Sequence, residues 1–376
     1  IYEKLIRPVL FTQEPEAAHE MVTTLLRWFS NAPLFCPLMA RYNQFSSYKN
    51  VELFGLKFPN VVGLAAGMDK NAQFWRAMGA LGFGFVEIGT ITYQRQEGNP
   101  RPRIFRFPEQ EALINRLGFN NDGAEIIAKR LEATSHYKRL VPLGINIGKS
   151  KLTSLENAAD DYLSSFHLLA DFADYFTINI SSPNTPDIRK LQESELLSTL
   201  LSPLREANLN RAKIRDLRPI PMLVKIAPDL SFPQIDSVLQ IISEFEINGI
   251  IATNTTIERA GPLNRIKEEG GLSGTPIHKR SLEVIRYISR ATNGKLPIVG
   301  VGGINDIRTA EETLTAGASL IQIYTGMIYK GPFLAKNIAS LHSSPVEIES
   351  TLLFPVVLTA ISETTTSTLY LKCSLI

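Results

Sequence analysis

The stretch YFTINISSPNTPDIR, Tyr175 to Arg189, sets an apolar run directly against Asn179, Ser181, Ser182, Asn184 and Thr185, with Pro183 and Pro186 between them. A serine hydroxyl serves as a nucleophile only when a base activates it and a third group holds that base. No histidine or carboxylate ends an apolar run near Ser182, and Asp187 is too close in sequence to judge, so hydrolysis is a poor reading. Two roles stay open: a hydroxyl that caps the turn, or a proton acceptor in redox chemistry. The second needs water exclusion and neighbouring donors, because a hydroxyl is a weak base. Asn146 and Asn254 also end apolar runs, as Asn179 and Asn184 do. Each amide offers donors and an acceptor, so together they suit a flat ligand edged with carbonyl and N–H groups.

Lys225 interrupts the apolar run MLVKIAP. Lysines are almost never fully buried unpaired. It therefore reads either as a side chain that snorkels to water or as a cation beside a ring that acquires negative charge. Gly302 and Gly303 in GVGGI can bring backbone N–H groups close to a phosphate, and Tyr324, Thr325 and Gly326 can complete the cradle. Alone, such a glycine cluster is more often a tight turn. The five histidines include no pair at helical ligand spacing, and Cys36 and Cys373 lie at opposite ends of the chain. Neither a metal site nor a disulfide framework is implied.

These residues must be positioned by something, and the pattern of runs says what. From residue 60 onward, eight near-continuous apolar segments recur: 60–67, 85–92, 142–148, 175–181, 222–228, 249–255, 297–304 and 319–326. Longer stretches with helical periodicity, such as NAADDYLSSFHLLADFA and FPQIDSVLQIISEFE, separate them. Continuous apolar strands are those covered on both faces, so the spacing predicts an α/β fold, a (β/α)8 barrel, with its site where strands end and βα loops begin. Residues 99–123 form a long insertion after the second strand, which brings Asn115, Gly118, Phe119 and Asn120 within reach of the barrel mouth. VELFGLKF (51–58) reads as a hairpin turning at Gly55, across the barrel bottom.

Residues 1–45 differ. Ala18, Met21, Val22, Leu25, Leu26 and Phe29 make a helical stripe that SNAP ends, and Tyr2, Leu5, Ile6, Val9 and Leu10 make a shorter apolar face before it. Two readings compete: helices packed on the barrel, or an interfacial pair that dips into a membrane. No run reaches the ~18–20 apolar residues that span a bilayer. The chain has 376 residues, 44% of them hydrophobic, and a net charge of +2, enough for a large core and without the field that nucleic acid would demand.

With these residues assembled, the chain resembles the class 2 (quinone-dependent) dihydroorotate dehydrogenases over about residues 1–342. The resemblance rests on GLAAGMDKNA, GFVEIGTIT, QEGNPRPRIFRFPE, INRLGFNNDG, INISSPNT, LVKIAPDL, TNTT, GGLSGTPI and VGVGGI, in order. It implies an FMN-bearing barrel (46–342), one FMN per chain, that oxidises dihydroorotate to orotate in pyrimidine biosynthesis. It also implies a helical domain (1–45) for membrane docking and quinone entry. By the same match Ser182 is the base that takes a proton from carbon 5, while hydride leaves carbon 6 for the flavin. Lys70, Asn115, Arg116, Leu117, Gly118, Phe119, Asn179, Asn184, Asn254 and Thr255 take substrate-binding positions. Ala66, Gly67, Met68, Asp69, Lys70, Thr90, Asn146, Asn179, Lys225, Thr253, Gly274, Gly303, Tyr324 and Thr325 take flavin-binding positions. His19 and Arg106 match the quinone tunnel.

Soluble class 1 members carry Cys where this chain has Ser182 and lack the amphipathic N-terminus. The enzymatic alternative is thus a soluble flavin barrel using fumarate or a nicotinamide, and a third reading is a non-catalytic barrel. The expectation is a monomer, peripheral on the inner (cytoplasmic) membrane of a bacterium, or alternatively at a mitochondrial inner membrane. Residues 343–376 depart from the family pattern.

Overall fold

The computed structural model describes residues 1–32, 34–43, 50–259 and 261–340. The expected boundary at 45/46 and the divergent segment 343–376 lie outside them.

A π-helical turn, Tyr2–Ile6, runs into α1 (Arg7–Phe11), followed by α2 (Pro15–Asn31) and α3 (Phe35–Tyr42). Glu14 starts α2 by accepting the Ala17 N–H on its side chain at 2.8 Å, with Pro15 in the first turn where its missing donor costs nothing. The third helix was not anticipated by the two stripes, because Pro37 disguises its first turn. β1 (Val51–Leu53) and β2 (Leu56–Phe58) form the expected hairpin, with Gly55 at φ +74°. Next to that glycine, the Phe54 ring closes on Gly249, where an added Cβ would lie 3.1 Å away.

The barrel follows. Its strands and helices are β3 (Val62–Leu64), α4 (Trp75–Ala80) and β4 (Phe85–Ile91), then β5 (Ile104–Phe107), β6 (Ala112–Asn115) and α5 (Ala124–Ala133). They continue as β7 (Leu143–Ile147), α6 (Ala158–Leu169), β8 (Tyr175–Asn179), α7 (Ser194–Arg215), β9 (Met222–Ile226) and α8 (Phe232–Glu244). The chain then builds β10 (Gly249–Ala252), β11 (Gly271–Gly274), α9 (His278–Ala291) and β12 (Ile298–Val301). It ends with α10 (Ile307–Thr315), β13 (Leu320–Ile323), α11 (Thr325–Lys330) and α12 (Leu334–Ala339).

β3, β4, β7, β8, β9, β10, β12 and β13 close into a parallel barrel, as the eight runs predict. Every residue of β4, β7, β8, β9, β10 and β13 is buried, which is why these strands lack alternation. Close packing depends on a small residue opposite a large one. Gly144 on β7 faces Tyr175 on β8, and a Cβ there would fall 2.1 Å from the tyrosine ring.

The insertion 99–123 is more ordered than a lid loop. β5 and β6 form an antiparallel hairpin, and β11, from far along the chain, adds a third strand beside β6. Ala112, Ile114, Leu263 and Leu272 make a small separate core beneath this sheet.

Candidate active site

The polar strand ends converge on one cavity at the C-terminal mouth of the barrel, with about 1030 Å³ of space free of atoms, part of it open to solvent. Ser182, Lys70, Asn115, Leu117, Gly118, Phe119, Asn179, Asn184, Asn254 and Thr255 line it. So do Ala66, Gly67, Thr90, Lys225, Thr253, Gly274, Gly303, Tyr324 and Thr325.

The loop after β8 is held from both sides. Ser182 is 4% exposed, and its Oγ accepts the Asn184 N–H at 3.2 Å. Asn184 donates to Asn115 Oδ1 at 3.2 Å, linking the loop to β6. Arg189 donates to the carbonyls of Ser181 (3.2 Å) and Thr255 (3.0 Å) and pairs with Asp229 at 2.6 Å. It thereby ties the loops after β8, β9 and β10 together, a supporting role that its place in a charged helical turn did not reveal.

Two lysines bring positive charge to the cavity. Neither Lys70 nor Lys225 has a hydrogen bond or ion pair to a protein group among the described residues. Burial, then the Arg103 charge, pushes the Lys70 ammonium down to about 8, while Glu16 and Asp69 oppose the shift. Burial also lowers Lys225, against the attraction of Glu87. An ammonium held in a dry wall without a counter-ion is costly, and an anionic ligand relieves that cost.

Glycines shape the opposite end. A Cβ on Gly303 would lie 3.0 Å from the Gly274 carbonyl and 2.6 Å from His278 Cβ, and one on Gly326 would lie 2.2 Å from the Ile304 carbonyl. Side chains are thus excluded because the backbone here packs directly against neighbouring loops and the start of α9. Thr325 donates to Ser273 Oγ at 2.8 Å, and this serine also lines the cavity. Thr253 Oγ1 and Gln322 Oε1 are buried without a partner.

Several expected residues do not line the cavity. Arg116 lies over the Phe105 ring (4.6 Å) and pairs with Glu268 at 3.0 Å, because the β6 pleat sends its side chain to the outer face of the hairpin. The Asp69 carboxylate is spent on the N–H groups of Gln73 (2.8 Å) and Phe74 (2.7 Å), capping the turn before α4. Met68 is in the core. Asn146 lies one layer beneath, donating to Glu87 at 2.8 Å and accepting from Thr90 at 2.6 Å.

His19 and Arg106 belong to the junction with the N-terminal helices. Arg106 sits over the Phe11 ring (4.5 Å) and donates to the carbonyls of Leu10 (3.1 Å) and Gln13. Burial and the Lys70 charge push the His19 imidazole down to about 3, so it is neutral at physiological pH. Beside them Glu16, 4% exposed, receives Arg103 through contacts of 2.7 to 3.1 Å, and Arg103 also donates to the carbonyls of Glu97 and Asn99. Sequence reasoning passed over this pair, and over Glu87, Ser273 and Gln322. A carboxylate inside FVEIGT was the available signal for Glu87.

Comparison with known proteins agrees over nearly the whole chain. The family model described as "Dihydroorotate dehydrogenase" matches residues 48–343. A relative from Christiangramia forsetii, "Dihydroorotate dehydrogenase (quinone)", is 47% identical over 340 residues, covering 90% of this chain and 97% of the relative. Another of the same name, from Chloroflexus aurantiacus, is 48% identical over 345 residues, covering 90% and 94%. Crystal structures of DHODH from Eimeria tenella superpose with TM-scores of 0.75 (with ferulenol; 37% identity, 87% of this chain and 90% of that one) and 0.76 (ligand-free; 38% identity, 87% and 93%).

Proposed function

Given that the chain belongs to the dihydroorotate dehydrogenase family, we propose that it oxidises (S)-dihydroorotate to orotate, with electrons passing to a quinone, and that Ser182 is its base. The observation that carries the site assignment is the gathering of Ser182, Asn115, Asn179, Asn184, Asn254 and Lys70 around one cavity. Asn115, Asn184 and Asn254 are arranged to grip the carbonyl and N–H edge of a pyrimidine. Lys70, a cation without a protein partner, suits its carboxylate. Ser182 Oγ takes the proton from carbon 5 as hydride leaves carbon 6 and the C5–C6 double bond forms. Burial keeps bulk water from competing for that proton.

FMN fits the rest of the cavity on three grounds. Buried Thr253 Oγ1 and Gln322 Oε1 lack partners, Gly302, Gly303 and Gly326 line the cavity with backbone and no side chain, and Lys225 offers a cation to an electron-rich ring. Ala66, Gly67, Thr90, Asn179, Lys225, Thr253, Gly274, Gly303, Tyr324 and Thr325 would hold it, with Asn146 acting from beneath; Met68 and Asp69 would contribute through backbone alone. When bound, FMN supplies the two-electron acceptor for the hydride.

We further read residues 1–45 as a membrane-docking module. Leu5, Val9, Met21, Leu25 and Trp28 are 66, 65, 52, 54 and 66% exposed, an arrangement suited to lying in the headgroup–acyl boundary. No described helix is long and apolar enough to cross a membrane. On this reading the protein associates peripherally with the inner membrane of a bacterium, and quinone enters near His19 and Arg106.

Anaerobic mixing with dihydroorotate tests the reading: the flavin band bleaches, and a quinone restores it. Ser182→Ala bleaches ~10²–10⁴-fold more slowly while still binding FMN and orotate. Wild-type bleaching in that variant removes Ser182 from the mechanism, and reoxidation by fumarate but not quinone overturns the choice of acceptor.

A further inference from the structure

The mechanism makes no use of a carboxylate inside the barrel. Glu87, on β4, has none of its surface exposed. Its Oε1 accepts from Asn146 Nδ2 at 2.8 Å, and its Oε2 accepts from Tyr175 OH at 3.1 Å, Thr177 Oγ1 at 3.0 Å and Gln322 Nε2 at 2.9 Å. An ionised carboxylate accepts at both oxygens and has no proton to give; here one donor meets Oε1 and three meet Oε2.

An amide bonded to such a group cannot turn over, since the turned form would set oxygen against oxygen. Asn146 must therefore point Oδ1 the other way, where it accepts from Thr90 Oγ1 (2.6 Å) and Asn179 Nδ2 (3.2 Å). With its proton committed, the Thr90 oxygen accepts from Asn179 Nδ2 at 2.9 Å. The Asn179 oxygen is then left to receive Ser181 Oγ (3.0 Å) and Asn254 Nδ2 (3.4 Å). Donor and acceptor directions thus run without a break from Glu87 to amides in the cavity wall. On a second branch, Gln322 spends Nε2 on Glu87, so its unpartnered, buried Oε1 is an acceptor. Gln322 lines the cavity.

We propose that Glu87 is a positioning residue that fixes the hydrogen-bond polarity of the site, setting Asn146, Asn179, Asn254 and Gln322 to the one orientation that a bound flavin and pyrimidine read. The proposal rests on the reading of the cavity as a flavin and dihydroorotate site. A neutral glutamine of the same shape would leave the packing in place and release the direction. Thr177 serves as the internal control, because it bonds to Glu87 but lies on neither branch.

The test compares Glu87→Gln, Gln322→Met and Thr177→Val in the full chain. Three quantities are read: FMN dissociation by flavin fluorescence, the change in the visible flavin band when orotate binds, and the thermal midpoint. Glu87→Gln and Gln322→Met are expected to weaken FMN binding at least tenfold, and Glu87→Gln also to alter the orotate difference spectrum. Thr177→Val is expected to lower the midpoint while leaving FMN binding within twofold of wild type. If Glu87→Gln loses only thermal stability, like the control, Glu87 is a core residue and the proposal is overturned. Should Glu87→Gln fail to fold, Gln322→Met decides: FMN binding within twofold of wild type overturns the proposal, and a tenfold loss supports it. A wild-type protein that takes up no FMN fails instead on the underlying reading, and the proposal falls with it.

Discussion

Helices α2 and α8 are both amphipathic, yet they are built in opposite senses. α8 buries Ile235, Val238, Ile241 and Ile242 against the barrel. α2 buries Glu16, Ala18 and Ser30, while Met21, Leu25 and Trp28 stand in the open. A stripe of apolar residues shows that a face exists; it does not show what covers that face. For α8 the cover is the barrel. For α2 the barrel takes the polar ends of the stripe, through Arg103 on Glu16 and through Arg76, which donates to the Ser30 carbonyl at 2.7 Å. Leu26 also packs on the main core, while Met21, Leu25 and Trp28 remain exposed.

Breaking the inner side of α2 should have the largest effect. Glu16→Ala leaves the Arg103 guanidinium buried and unpaired, which typically costs ~3–5 kcal/mol. Denaturant unfolding should register that loss, and a change within experimental error would mean that Arg103 finds water instead. The outer side should answer differently. Met21→Ser with Leu25→Ser removes apolar surface worth ~1.5–3 kcal/mol per side chain when fully buried. Sedimentation with vesicles should then fall by tenfold or more, with the unfolding midpoint unmoved. Equal binding by wild type and variant would leave the face without a membrane role.

The smallest effect belongs to pH, and it probes the point where the two regions meet. Lys70 titrates near 8 in the ligand-free protein because it is buried beside Arg103. A carboxylate ligand favours the charged amine, so affinity is full below that pH. Above it, affinity should fall toward tenfold per unit as the amine loses its proton. Orotate titrations from pH 7 to 9.5 check this, and a flat profile would remove Lys70 as the carboxylate's partner.

The barrel was legible because its strands are covered on both faces and so read as unbroken apolar runs. The strand-end asparagines and Ser182 were legible because polar residues directly after such runs fall at the barrel mouth. Directions were harder to read. Arg116 and Asp69 sit within the right motifs, but the pleat of β6 and a local turn aim their side chains elsewhere. Glu87 was in plain view within FVEIGT, but its meaning depends on Asn146, Tyr175, Thr177 and Gln322, which only barrel closure brings together. α3 was hidden by a proline. β11 was hidden because its register against β6 pairs Gly271 with Asn115 across a long reach of chain.

That last pairing bears on how such a barrel can be remodelled. The insertion resembles a cassette: it leaves after β4, turns once between β5 and β6, and returns to α5. Yet the inner edge of β6 is completed by residues 271–274, which belong to a different βα connection. Transplanted alone, residues 99–123 would carry an unpaired strand edge, with its N–H and C=O groups open to any passing chain. The transferable unit is the pair of connections. A lineage altering the roof over its substrate would therefore have to rewrite two distant stretches of its gene in step.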